Sequence, residues 1–263
     1  MVGESMNKIL LVSVLCLAFG WVGLVVNCQT GVGVAPSEAE DLEAMEAYLR
    51  TADVVRIERD MDLGTTDPWI VHLDDGTQQR RAMFKYAPRC RPHILPNCYK
   101  YEIAAYELSK LLRLPIVPPV VERRIDGTPG ALQVFVEGCI PLTDSKSLNI
   151  GDVDRFHRSM LEVLVFDNLT YWFSGDDDIN EDILVHPSDG KVCRVDFSKA
   201  FDSRPELLEA REVRHCPEKL YRALESLDPA AVRERLTNLL NEEEIEAVII
   251  RRQLLLDNLI PTK

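Results

Sequence analysis

The sequence from Gly175 to Val185 reads GDDDINEDILV and places Asp176, Asp177, Asp178, Glu181 and Asp182 directly after the apolar run MLEVLVFDNLTYWF. Carboxylates crowded at a helix end repel one another and meet the negative end of its dipole. A cation or a proton-handling task must offset that cost. Further on, ILVH and KVCRVDF read as two short strands joined by PSDG. A turn closed by PSDG brings Asp182 close to Asp196 when the strands are paired backwards from it. Two carboxylates so placed bind a divalent cation. Asp177, five positions before Asp182, faces the same ion at the distance an attacking hydroxyl needs. A calcium loop accounts for the acids less well. Asp176, Asp178 and Asn180 match its first ligand positions, but Glu181 stands where glycine is required and Pro187 where the bidentate glutamate belongs.

The elements that must hold these acids are legible in the periodicity. SEAE, with Ser37 as cap and Glu40 three residues on, opens a helix carrying Leu42, Met45 and Leu49 at helical spacing. DVVRIERD, WIVHLDDG and RRAMFKY are short, partly alternating and separated by Gly64, Asp67-Pro68 and Asp75-Gly76, as strands of an antiparallel sheet are. A helix from Cys98 to Leu112 follows, stopped by LPIVPP. VVERRIDGTPGALQVFVEG reads as a hairpin turning at Asp126-Gly127. Asp152 caps a long buried helix through Phe173, and Asp228-Pro229 and Asn241 open two more near the C-terminus. The plan is α+β and two-lobed, with a small antiparallel sheet first and a mainly helical part after it.

These segments together resemble the atypical branch of the protein kinases: the secretory-pathway kinases of the Four-jointed type, HipA-like kinases and, more distantly, phosphatidylinositol kinases. The resemblance covers residues 40 to 225 and is carried by RRAMFKY, YEIAAYELSKLL, VFDNL and VDFSKAF. It implies that Lys85 contacts nucleotide phosphates, that Glu102 pairs with Lys85, that Leu63-Gly64-Thr65-Thr66 is a degenerate phosphate-covering turn, and that Asp182 and Asp196 hold Mg²⁺ or Mn²⁺. Asp177 is then the residue that orients an acceptor hydroxyl and takes its proton. Where the family has Asp-Arg this chain has Asp177-Asp178, and Asp182 replaces a metal-binding amide. The implied function is ATP-dependent phosphoryl transfer to a hydroxyl of a protein, glycan or lipid. An inactive pseudokinase acting as a binding module is the alternative. Asp167, in the FDNL helix, reads as a structural acid bonding loop backbone.

Of 263 residues 46% are hydrophobic, and the formal charge is −13. With no long basic run there is no electrostatic footprint for nucleic acid. Ile9 to Val26 form an uninterrupted apolar run behind Lys8, which reads as a membrane anchor or a signal peptide. The organisation expected is residues 1–27 for targeting, 28–37 as linker and 38–263 as the kinase-like domain, divided into lobes at 138/139. The folded part is expected on the non-cytoplasmic side, anchored or secreted. Cys90 and Cys98 in CRPHILPNC either close a small bridge or stay as two buried thiols.

Overall fold

Why the sheet twists and folds where it does follows from short alternating segments punctuated by turn residues. The computed structural model describes residues 38–59, 67–91, 96–147, 149–172, 181–209 and 212–262. Helix α1 (Glu38–Thr51) leads into β1 (Asp53–Glu58), β2 (Trp69–Asp74) and β3 (Gln79–Lys85). A two-stranded ladder of β4 (Pro88–Arg89) and β5 (Asn97–Cys98) precedes α2 (Tyr99–Leu111), and β6 (Val120–Ile125) and β7 (Thr128–Val134) form the expected hairpin. Its turn works because Asp126 and Gly127 both take positive φ, at 49° and 79°. All strands of the main sheet are antiparallel, in the order β1-β2-β3-β7-β6.

Alternation gives this sheet two buried faces of different use. On one, Val71, Leu73, Ala82, Phe84, Val121 and Leu132 pack against Tyr48 and Leu49 of α1 and Ala52 just after it. Each buried valine, leucine or phenylalanine among them contributes about 1.5–3 kcal/mol of apolar transfer. The opposite face carries Met83 and Lys85 on β3, paired with Gln133 and Ala131 on β7. It looks toward α2, whose residues are buried nearly all round because the helix is packed between this sheet and α5.

The second half opens with β8 (Ile140–Pro141), a 3₁₀ turn and α3 (Val153–Thr170), capped by the Asp152 side chain at the Arg155 amide. The helix ends at Thr170, earlier than the apolar pattern suggests, because Tyr171 takes a left-handed conformation with φ 49°. The tiny hairpin is β9 (Ile183–Val185) with β10 (Val192–Arg194), to which β8 adds a third strand absent from the sequence reading. Two residues were too few to show alternation. After β11 (His215–Pro217) come α4 (Glu218–Ser226), α5 (Pro229–Leu236), α6 (Glu242–Asn258) and β12 (Ile260–Thr262), which pairs with β11 in parallel. Asn241 caps α6 in a reciprocal capping box with Glu244.

Ser37–Lys263 form one compact unit with two hydrophobic cores, one between the main sheet and α1 and a larger one running from α2 through the C-terminal helices. Cys90 and Cys98 are disulfide-bonded, with Cα atoms 4.7 Å apart. The expected N-terminal apolar helix lies outside the described residues, as does the cap Ser37. Among the described residues no helix is long and apolar enough to cross a membrane.

Candidate functional site

Lys85 ends β3 on the sheet face that α1 does not cover, opposite Ala131 of β7. Its Nζ donates to Glu102 Oε1 at 2.8 Å and to Asp196 Oδ1 at 2.9 Å. Glu102, in the first turn of α2 and 2% exposed, uses its other oxygen to accept the Phe197 amide at 3.0 Å. One carboxylate therefore ties the end of β3 to the chain leaving β10. The Cys98 amide adds a second tie, donating to the Ser198 carbonyl at 2.9 Å.

Asp196 is placed with unusual care. Its φ of 58° lies in the left-handed region, which costs a non-glycine residue on the order of 1 kcal/mol or more. The Trp172 indole donates to its carbonyl at 2.5 Å, and its Oδ1 accepts the Ser198 hydroxyl at 2.7 Å and the Ser198 amide at 3.3 Å. Burial would raise its pKa, but Lys85 and then Ser198 outweigh burial and hold it well below the usual carboxylate range. Burial likewise opposes the charge on Lys85, and Asp196 and Glu102 overcome it to hold the ammonium protonated well above the lysine range. For Glu102 burial wins over Lys85, and its pKa is raised.

Asp182 lies just before β9. The ladder Val192↔Val185, Cys193↔Leu184, Arg194↔Ile183 continues as Val195 N–H to Asp182 carbonyl at 3.0 Å, which brings the Asp182 and Asp196 carboxylates into electrostatic contact. Burial first, then the charge of Asp196, lift the Asp182 carboxyl to about 7 against the pull of Arg194 and Lys85. Two acids pushed apart in this way share a deficit of positive charge. A hard divalent cation fits it: both donors are carboxylate oxygens, and Mg²⁺ takes one or two of these and fills its shell with water and phosphate oxygens. Among the described residues no group of three or more His, Cys, Asp or Glu could hold a metal without such help.

A raised carboxyl pKa means that the fold keeps a proton the unfolded chain gives up. Its contribution to stability is present below the ordinary value of 3.8 and is lost as pH rises toward about 7. Asp182→Asn is therefore expected to stabilise the ion-free protein at pH 8 and leave it nearly unchanged at pH 4. The gain should be about 1–2 kcal/mol, less than the pKa shift alone would convert to because the site is partly open to solvent. Urea unfolding at the two pH values measures it.

Other contributors went unremarked in the sequence. Arg194, two residues before Asp196, is wholly buried: its Nε donates to Asp167 Oδ1 at 3.0 Å, its Nη1 to the carbonyls of Asp182 and Val195 at 2.9 and 2.7 Å, and its guanidinium lies 3.7 Å from the Trp172 ring centroid. Asp167, read from the sequence as a structural acid bonding loop backbone, pairs with this arginine side chain. Gln133 sits on the same sheet face as Lys85, 7% exposed, with its Nε2 buried and unbonded. Ser198, in the D-x-S spacing that favours a local side-chain turn, is the one addition the sequence signalled. Of the expected residues, Lys85, Glu102 and Asp196 meet directly and Asp182 adjoins them. Asp177 and Gly64 lie outside the described residues.

No protein-family model matches the sequence, and no characterised protein matches it by sequence. Among solved structures, a Helicobacter pylori proinflammatory kinase, CtkA, is similar at 10% identity and a TM-score of 0.46, covering 80% of this chain and 93% of that one. The FAT and kinase domain of CtTel1 is similar at 13% identity and a TM-score of 0.38, over 77% of this chain and 21% of that one. This chain thus spans about a fifth of the CtTel1 structure. Likeness at this level decides neither fold family nor function.

Proposed function

We propose that the chain is a kinase-like phosphotransferase that uses ATP with Mg²⁺ or Mn²⁺ and transfers the γ-phosphate to a hydroxyl acceptor. The observation that carries the reading is the Lys85 ammonium, held between Glu102 at 2.8 Å and Asp196 at 2.9 Å, with Asp182 beside them. An ammonium that stays charged on a strand facing an open acid pair suits polyphosphate. A buried structural ion pair would not need the second, protonation-prone carboxylate.

Lys85, fixed by Glu102, neutralises phosphate oxygens and hands Asp196 over to the ion. Asp196 and Asp182 would hold that ion. The bound ion would supply charge stabilisation for the transferring phosphoryl group. Asp177 is assigned to orient the acceptor hydroxyl and accept its proton, and Gly64 to the turn covering the phosphates. Both assignments rest on the sequence resemblance. Positioning and charge do most of the work in such a reaction. The disulfide Cys90–Cys98 and the apolar run Ile9 to Val26 support an exported or membrane-anchored setting.

The test is the thermal midpoint of the full chain with ligands added singly and together. At about a hundred times the dissociation constant a ligand adds about 2.7 kcal/mol, roughly 5 to 10 °C for a domain of this size. Manganese alone should bind weakly to two carboxylates, and ATP alone should meet uncompensated acids. ATP with Mn²⁺ should therefore shift the midpoint by more than the sum of the two. An additive or absent response would sink the nucleotide reading. Synergy without transfer of labelled phosphate to any hydroxyl would identify an inactive binding module, a reading that Asp178 in the place of the family's arginine favours.

A further inference from the structure

The chain carries 43 acidic and 30 basic residues, yet one concavity reverses that balance. It lies between the turn after α2, the first half of α3, the start of β10 and the first turn of α4, with a volume of about 170 Å³. Arg113, Arg155, Arg158, Lys191 and Lys219 line it, and Glu162 is the one carboxylate among its lining residues. Arg155 is paired with Asp189 at 2.9 Å. The other four cationic side chains make no hydrogen bond or ion pair among the described residues. Elsewhere, among the described side chains, only Arg89 and Lys199 are left in that condition.

Cations clustered around a concave site repel one another, and in an acidic protein neutralising partners are plentiful. Here only two carboxylates, Glu162 and Asp189, act on five cations. Glu162 takes up part of the charge: burial raises its pKa, and Lys219 and Arg158 pull it back. Helix α4, nine residues long, begins beside Lys219 with Pro217 at its cap and no side-chain cap, and Glu218 in its first turn offsets part of the positive end of its dipole. The Ser159 hydroxyl on the wall is a neutral donor. A water occupies about 30 Å³ in the liquid, so the space takes a group of several heavy atoms rather than one water. A singly charged carboxylate would leave most of the excess unmet. Guanidinium forks match tetrahedral phosphate oxygens bidentately.

We propose that this cavity binds a phosphomonoester dianion, carried by a phosphorylated side chain of a partner protein or by a small phosphorylated metabolite. It is separate from the Lys85 site and owes nothing to the kinase reading.

Calorimetric titration of the full chain with inorganic phosphate, O-phosphoserine and aspartate, at matched ionic strength, tests it. Both phosphates should bind and aspartate should not. Arg158→Ala combined with Lys219→Ala should weaken phosphate binding by about tenfold or more. Arg89→Ala combined with Arg214→Ala removes the same charge elsewhere and should leave binding unchanged, as should Lys85→Ala, which cripples the proposed nucleotide site. Phosphoserine tighter than inorganic phosphate assigns the site to phosphorylated protein, and the reverse order to a small phosphate. Equal binding of aspartate, or undiminished phosphate binding in the Arg158 and Lys219 double variant, would overturn the proposal. The four residues are exposed, so an unchanged thermal midpoint without ligand shows that the variants fold.

Discussion

Asp196→Asn is expected to lower phosphoryl transfer from ATP by about a thousandfold or more while leaving the thermal midpoint of the ligand-free protein within a few degrees of the wild type. Asparagine has the same shape and is among the few residues that tolerate the left-handed backbone at this position, where φ is 58°. The Ser198 hydroxyl and amide keep an oxygen to bond, and the Trp172 indole bonds the main-chain carbonyl, which the substitution does not touch. Lys85 keeps Glu102 at 2.8 Å. What disappears is the charge that holds the ion, so the variant isolates electrostatics from folding. Transfer of labelled γ-phosphate in the presence of Mn²⁺ measures the loss. Activity within tenfold of the wild type would remove Asp196 from the metal site. The companion pair settles the register of the acid run: Asp177→Asn should abolish transfer and Asp178→Ala should do far less. The opposite result would move the proton-accepting role one residue along.

The parts of this site legible in the sequence are those whose spacing is set by local geometry. A two-strand hairpin closed by PSDG sets its own pairing, and that pairing places Asp182 beside Asp196. Lys85 and Glu102 were legible only through resemblance, because nothing in the 16 intervening residues fixes how a strand end meets a helix a loop away. Strand β8, with two residues, and β12, with three, carry no periodicity and were missed. Arg194 was passed over because a lone arginine in a strand ordinarily reaches solvent. Its burial depends on Asp167, 27 positions earlier, and on an aromatic ring at Trp172. Gln133 is invisible for a similar reason, since an amide in an alternating strand gives no sign that its Nε2 will be enclosed without a partner.

Arg194→Ala is expected to cost about 3–5 kcal/mol of stability, more than any surface pair in the molecule. Both members of the Arg194–Asp167 pair are 0% exposed, so truncating the arginine removes the cation that balances a carboxylate where water cannot reach it. It also deprives the Asp182 and Val195 carbonyls of a donor and leaves a void against Trp172, the ring whose indole holds the Asp196 carbonyl. Contrast Arg222 with Glu225, paired at 2.7 Å but with side chains 65% and 41% exposed, where substitution should move stability by less than about 1 kcal/mol. Because Arg194 grips the Asp182 carbonyl and stacks on the ring that grips the Asp196 carbonyl, its loss should loosen the spacing of the two acids proposed to hold the ion as well as the fold. The two effects separate experimentally. Urea unfolding reads the first, and Mn²⁺ affinity, measured in the presence of ATP at a temperature where the variant is still folded, reads the second. Arg194→Lys should recover little of either, since one ammonium cannot serve Asp167 and two carbonyls along a planar fork. Stability lost with ion affinity unchanged would confine Arg194 to the core. Stability unchanged would mean that the buried charge finds another partner, and the account given of this pair would be wrong.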